Sequence, residues 1–594
     1  MRNLVEQEIK GQMKKSTKIN VVFAGVMVGL VAFLVTMKSC TQQAIRESFK
    51  APLLNNLGEY DVEVTTKSEY AGRFVTQGIV MANAFNHGEA ARSFRESIRL
   101  DSTCAMAHWG LAYVLGPNYN TSKQGDTQEI QRAVEKALHY SQEATPWERA
   151  LIEALAVKFP LNGEANGEAY ESAMRKVYQQ FPDHDFVVTL FAESIMNLHA
   201  WDLYTRKGGQ PKAWTPEIVS LLEHAMKLNS KNPLANHLYL HATEAAPDVE
   251  KALAAADRLK TLVPGAGHLI HMPSHIYINT GDYYEGSLAN EEAVRVDSAY
   301  IAQCLVEGVY PQIYYPHNWH FLAATAALEG RGGRSLEAAF KTADIIDRNY
   351  LRQEGFETTQ HYITIPYNVL VKFSQWEKIL ALPQPHEDLY YPRAIWHYAR
   401  GMALANTANL DQARTELDSL KSLTETDAVK TMMIWEINTT ADIANIAIHV
   451  LEAEILKLTG NSEKAIEHYN QAIELEDQLN YNEPPDWFFS VRHFLGDLYL
   501  NINKPKEAEA VFREDLSYWV KNGFALNGLY HSLQMQQRAD EAEAVKKEFE
   551  KAWKRADSTL KYARIDEANR PNLVIRVDET TPNNLVYLAG MVCK

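Results

Sequence analysis

The chain has 594 residues, 46% of them hydrophobic and 23% charged, a balance found in folded proteins and not in disordered ones. At this length one ordinary compact domain is excluded unless the chain is built from repeats. The formal net charge of −16, from 59 Lys+Arg against 75 Asp+Glu, argues against a general nucleic-acid binder, which carries a basic field.

Lys14, Lys15 and Lys18 precede residues 21–37, VVFAGVMVGLVAFLVTM, which contain no charge. A positive segment followed by an apolar run of this length fits a secretory signal or a short membrane anchor. Cys40 follows directly and resembles the acylated cysteine of a bacterial lipoprotein signal, although Lys38 departs from the small apolar residue usual there. Residues 1–40 are therefore expected to place the protein in a bacterial cell envelope, facing the periplasm or exterior. The anchor is either a lipid on Cys40 or an uncleaved helix. Residues 41–70 are expected to be a linker. Cys104, Cys304 and Cys593 are far apart and no Cys-x-x-Cys occurs, so neither a disulfide framework nor a thiolate metal site is expected.

From residue 71 onward the sequence repeats. NKPKEAEAVFREDL (503–516), GNSEKAIEHYNQAI (460–473) and ANLDQARTELDSL (408–420) share a turn, an Ala and a bulky residue four positions later. Each follows a helical stretch bearing small residues. The period resembles that of the tetratricopeptide repeat, a helix–turn–helix unit of about 34 residues. Units start near Ala71, Ala105, Pro233, Gly267, Trp319, Ala394, Ile446 and Phe489; the last has Leu495, Gly496 and Tyr499 in its first helix and Ala508 and Phe512 in its second. The resemblance implies an all-α fold, with repeats stacked in a right-handed superhelix around a concave groove. It covers most of residues 70–560, with insertions near 115–215 and 300–316. An N-terminal array (71–300), a C-terminal array (301–565) and a tail (566–594) are expected. TRKGGQPKAW (205–214) and EGRGGRS (329–335) read as loops.

In GHLIHMPSHIYINTGDYYEG (267–286), a unit starting at Gly267 puts Ser274 and Tyr277 on the small and aromatic positions, with GDYYEG as the turn. His268, His271 and His275 become positions 2, 5 and 9 of its first helix. His237 and His241 lie 34 residues before His271 and His275, at the same two positions of the preceding unit. Positions 2, 5 and 9 share a helix face, and in the tetratricopeptide family they line the groove. Glu244 falls at position 12, a candidate ligand and the one candidate catalytic base. His320 falls at position 2 of the unit near Trp319, with His317 just before that helix; His361 occupies position 2 of a unit near Gln360. Pro273 is expected to interrupt its helix and to bias Met272 away from α geometry.

Inward-facing imidazoles on neighbouring helices can reach the nitrogen–metal distance of about 2.0–2.2 Å. Thiolate-free imidazole ligation suits Zn, Cu(II) or Fe. The candidate metal ligands are His237, His241, His268, His271, His275, His320 and Glu244. The same groove could instead hold a protein or peptide partner without metal. Trp109 and Tyr113, at positions 5 and 9 of the Ala105 unit, and His317, His361 and Arg492 are further groove candidates. G-x-x-x-x-G-K-[ST], G-x-S-x-G and H-E-x-x-H are absent, so P-loop, α/β-hydrolase and zincin readings lose their support. The phrases NHGEA, HWGLAYVLGPNYN, HMPSHIY, PHNWHF and EPPDW together resemble a largely uncharacterised group of bacterial His-rich tetratricopeptide proteins, a resemblance that implies a fold and no reaction.

Overall fold

A computed structural model describes residues 49–160, 164–206, 208–304 and 306–566, with Gln7, Lys10, Gly11 and Met13. The signal or anchor, Cys40 and the tail beyond 566 lie outside the described residues. Among the described residues no helix is long and apolar enough to cross a membrane. Asn55 onward forms one compact unit, an all-α solenoid of paired antiparallel helices.

The expected repeat packing rests on an interlock of glycine and phenylalanine. A Cβ on Gly78 or Gly110 would lie 2.7 or 2.2 Å from the Phe94 ring, and one on Gly496 or Gly528 would lie 2.3 Å from the Phe512 ring. Each phenylalanine thus sits between two helices that can close on it only because glycine has no side chain there. The spacing is the same in both places, glycine sixteen residues before and sixteen after the ring.

Helix ends follow local chemistry. Asn232 accepts from the Ala235 N–H at 3.0 Å and caps the helix Pro233–Thr243, while Thr439 and Asp442 form a capping box on Thr440–Leu458. Gly281, at φ 74°, terminates Pro273–Thr280 in the left-handed region. The next helix, Tyr283–Cys304, starts at once, so the turn is Gly281–Asp282 and not the whole of GDYYEG. Gly332–Ile345 likewise begins inside EGRGGRS.

Pro273 does not break its helix. Met272 keeps helical angles (φ −49°, ψ −37°), and its N–H still donates to the His268 carbonyl at 3.0 Å. The preference against α geometry before proline is overridden by packing, since Met272 is fully buried. Gly267–His271 and Pro273–Thr280 therefore run on as one rod, keeping His268, His271 and His275 on one side.

Other departures lie at the insertions. Within the segment read as linker, Thr65 donates its backbone N–H and hydroxyl to Glu148 at 2.7 and 2.6 Å, and Thr66 and the Lys67 N–H donate to Asp101, both at 2.7 Å. The repeats pack directly across residue 300, Tyr283–Cys304 against Tyr315–Leu328. Tyr310–Tyr314 forms a π-helical turn leading into the latter helix. A two-stranded hairpin, Met433–Ile434 with Asn438–Thr439, was not legible from the period; its tip carries Trp435.

Candidate metal centre

The first helices of three successive repeats deliver six histidines to one place. His237 and His241 come from Pro233–Thr243, His268, His271 and His275 from the rod 267–280, and His317 from Tyr315–Leu328. All six are 0–7% exposed, so the cluster is a buried core of imidazoles and not the open lining of a groove. The ligand atoms of His237, His241 and His268 lie within 4.8 Å of one another, as do those of His271, His275 and His317 and those of His241, Glu244 and His275.

Hydrogen bonds from behind fix the rings. His241 donates Nδ1–H to one Glu244 oxygen at 2.9 Å, and His275 donates to the other at 2.5 Å. His237 donates Nδ1–H to the Asn83 carbonyl at 2.7 Å. The Asn290 amide donates to the Gly286 carbonyl, which turns its oxygen toward His271 Nδ1 at 2.6 Å. All four rings therefore carry their proton on Nδ1 and hold the Nε2 lone pair inward, the arrangement found behind metal-bound histidines.

Those inward atoms are poorly satisfied by the protein. Nε2 of His237 and His241, both nitrogens of His268 and Nδ1 of His317 have no hydrogen-bond partner, each at a cost of about 1–3 kcal/mol. The Nε2 atoms of His271 and His275 face each other at 3.0 Å. With both Nδ1 atoms protonated, this contact sets lone pair against lone pair unless a cation or a proton lies between them.

Electrostatics agree with neutral imidazoles. Burial, reinforced by neighbouring rings, pushes His237, His268, His271 and His317 well below the usual histidine range. Burial lowers His275 too, against the opposing pull of Glu244. Burial would raise the Glu244 carboxyl, but His275 and His241 outweigh it and hold the group at about 2, so it remains an anion.

Aromatic rings pack around the cluster. Phe85 lies 4.5 Å from His237 and 5.3 Å from His268, Trp201 is 5.4 Å from His241, and Trp435 is 5.5 Å from His317, ring centre to ring centre. These three residues adopt φ of 54°, 59° and 53°, a region that bulky side chains enter only at a cost of order 1–3 kcal/mol each. Every aromatic residue with left-handed φ among the described residues is packed against this cluster. Phe321 closes the floor, 4.7 Å from His271 and 4.5 Å from His275.

A cavity of about 20 Å³ is lined by His241, His268, His275, His317, Tyr314 and Glu483. It shares Asn120, Trp201 and Trp435 with a larger chamber of about 880 Å³. The chamber wall adds Tyr119, Tyr170, Tyr481, Asn118, Asn197 and Asn480. The interior cluster thus adjoins a space large enough for a small organic molecule or a peptide side chain.

The remaining sequence candidates lie elsewhere. His320 stacks on Phe488 at 5.0 Å and stands 5.7 Å from His361, whose Nδ1 pairs with the Tyr391 hydroxyl at 2.9 Å. His317 joins the cluster instead, because the helix starts at Tyr315 and not near Trp319. Trp109 stacks on Tyr113 at 5.1 Å, and the Tyr113 hydroxyl meets Glu193 at 2.6 Å, a separate buried cluster. Arg492 is buried in ion pairs with Asp477 at 2.7 Å and Glu514 at 3.1 Å, and is held there as structure. Sequence reasoning missed Asn83, Phe85, Tyr119, Trp201, Asn290 and Trp435 as site residues. It met Glu483 only within EPPDW, one of the phrases that carry the family resemblance.

Comparisons agree with the repeat fold. Residues 446–478 match the family model described as Tetratricopeptide repeat. No curated protein matches the sequence. Among solved structures, the human IFIT1 dimer with m7Gppp-AAAA is 13% identical over 82% of this chain and 91% of its own, at a TM-score of 0.31. The APC/C hetero-tetramer Cut9-Hcn1 is 14% identical over 82% and 74%, at 0.28. YrrB, described as a TPR protein with an unusual peptide-binding site, is 14% identical over 43% and 93%, at 0.22. Residues 446–478 thus carry a tetratricopeptide repeat, and the helix pairs and the Gly–Phe interlock continue packing of that kind along the chain.

Proposed function

We propose that this tetratricopeptide repeat protein binds a transition metal in its buried histidine cluster, as a binder or as a metal-dependent enzyme fed from the adjoining chamber. The observation that carries the reading is the 3.0 Å approach of His271 Nε2 to His275 Nε2 with both Nδ1 protons committed to oxygen acceptors. Two donors on one ion at about 2.1 Å and about 90° stand at this separation. The imidazole donor set supports Zn, Cu or Fe. Glu244, engaged with both Nδ1 atoms, acts as the group that orients the rings, not as a base on substrate. The apolar run 21–37 and Cys40 support attachment to a bacterial envelope membrane with the repeats on the periplasmic or outer side. The test is elemental analysis of the untagged full chain after loading with Zn(II), Cu(II) or Fe(II) and removal of excess ion. Stoichiometric metal that is lost when His241→Ala and His275→Ala are combined supports the reading; no retained metal in the wild type overturns it.

A second reading is a protein or peptide scaffold, for which the tetratricopeptide fold is suited. The 880 Å³ chamber with its amide and aromatic wall favours it. A partner captured by crosslinking, insensitive to chelator and lost in Trp435→Ala, would establish this role.

A further inference from the structure

The cluster contains more ligands than one ion requires. A zinc or copper site with an open position needs three protein donors, whereas six imidazoles converge here in two all-histidine triads that share no residue, joined by a third group of His241, Glu244 and His275. We propose that the cluster is a two-ion centre. His237, His241 and His268 hold one transition-metal ion, His271, His275 and His317 hold the second, and Glu244 stands behind both as a common positioning group. The proposal rests on the metal-binding reading above and specifies its stoichiometry.

Each half has its own geometric support. In the first, three helical positions on two neighbouring repeats bring together three rings with unpartnered buried nitrogens. Their centres lie 4.9 Å (His237 to His241) and 5.0 Å (His237 to His268) apart. In the second, His271 and His275 already stand at the spacing of adjacent ligands on one ion, and the His317 ring centre is 4.8 Å from that of His271. The halves adjoin, with 5.5 Å between His241 and His275 and 5.7 Å between His268 and His271. Rings this close permit the separation of about 3.5–4 Å usual in two-metal centres.

Glu244 carries the symmetry. One oxygen accepts from a ring of the first triad and the other from a ring of the second. A carboxylate placed in this way orients one ligand of each set. Its negative charge also offsets part of the charge of two ions. Glu483, on the wall of the 20 Å³ cavity, supplies a second carboxylate. Two divalent ions and two carboxylates leave a positive centre, and three donors per ion leave a position open on each. Two histidines of each triad, His241 and His268 and His275 and His317, line the same small cavity, whose volume matches about one water molecule. The chemical class that fits is an oxygen-donor ligand able to touch both ions, reached through the chamber walled by Trp201 and Trp435.

The test loads the full chain with Cu(II) and counts copper and unpaired spins per chain. Two copper ions are expected, with a paramagnetic signal far below two spins because neighbouring ions couple. His268→Ala and His317→Ala are each expected to retain one ion and to restore a signal of about one spin per chain. Thermal unfolding of each metal-free variant checks its fold; where alanine melts early, His268→Gln and His317→Gln take its place. One ion in the wild type, lost in both variants, overturns the two-ion centre and leaves the metal-binding reading standing. Two ions with two uncoupled spins overturn the shared centre. No ion in the wild type overturns both.

Discussion

Two buried polar regions of the same solenoid follow opposite rules. Around Glu454, the carboxylate meets Lys457 at 2.7 Å, Arg564 at 2.8 Å and the Tyr469 hydroxyl at 2.8 Å. Burial would raise its pKa, but Arg564 and Lys457 outweigh that and hold it far below the usual range. The nearby His493 is engaged on both nitrogens, by Lys372 at 2.7 Å and Asp515 at 3.0 Å. Around Glu244, Nδ1 of His237, His241, His271 and His275 is satisfied, while Nε2 of His237 and His241, both nitrogens of His268 and Nδ1 of His317 are not. A buried network that satisfies itself contributes to folding. One that is complete behind and unpaired in front is arranged for something that the chain does not supply.

This contrast can be broken by substitution. Glu454→Gln leaves Arg564 and Lys457 without their counter-charge and is expected to cost about 3–5 kcal/mol in denaturant unfolding, with metal content unchanged. His275→Ala is expected to do the reverse. The metal-free variant keeps most of its stability, while the stabilisation supplied by the ion at His271, His275 and His317, about 4 kcal/mol at a thousandfold excess over its Kd, is lost from the thermal melt. If His275→Ala destabilises the metal-free protein as much as Glu454→Gln does, the two regions are alike and the contrast fails.

Glu244→Gln sharpens the comparison at the level of a single group. It keeps the size of the side chain but weakens the hold on His241 and His275, so metal affinity measured by chelator competition is expected to fall about 10–100-fold. The smallest effect concerns pH. His237, His268, His271, His275 and His317 have folded pKa values below the unfolded value of about 6.5. The unfolded chain therefore takes up protons that the folded one refuses as pH falls through 6.5. Stability of the metal-free protein is full above that value and declines below it. Urea titrations at pH 7.5 and 5.5 should show this loss, and replacing the five histidines should reduce it.

Much of this was legible in the residues. The repeat period gave the paired helices, because small and aromatic positions recur at fixed intervals. The 34-residue offset between His237–His241 and His271–His275 gave half of the cluster, because a helix fixes which residues share a face. Pro273 misled, since a local preference for extended geometry lost to the packing of a fully buried Met272. His317 was assigned to the groove but not to the metal, because the π-helical turn and the early start at Tyr315 changed the register of its helix.

What the sequence determined by itself is the local set: helices, their faces, and histidines in register on consecutive repeats. These depend on interactions within about one helical turn. Only the tertiary structure decided that six rings meet, that Glu244 reaches two of them, and that Phe85, Trp201 and Trp435 pack around them. Those outcomes depend on the distance and angle between helices, and on segments up to 350 residues apart in the chain, which no periodicity within a repeat encodes.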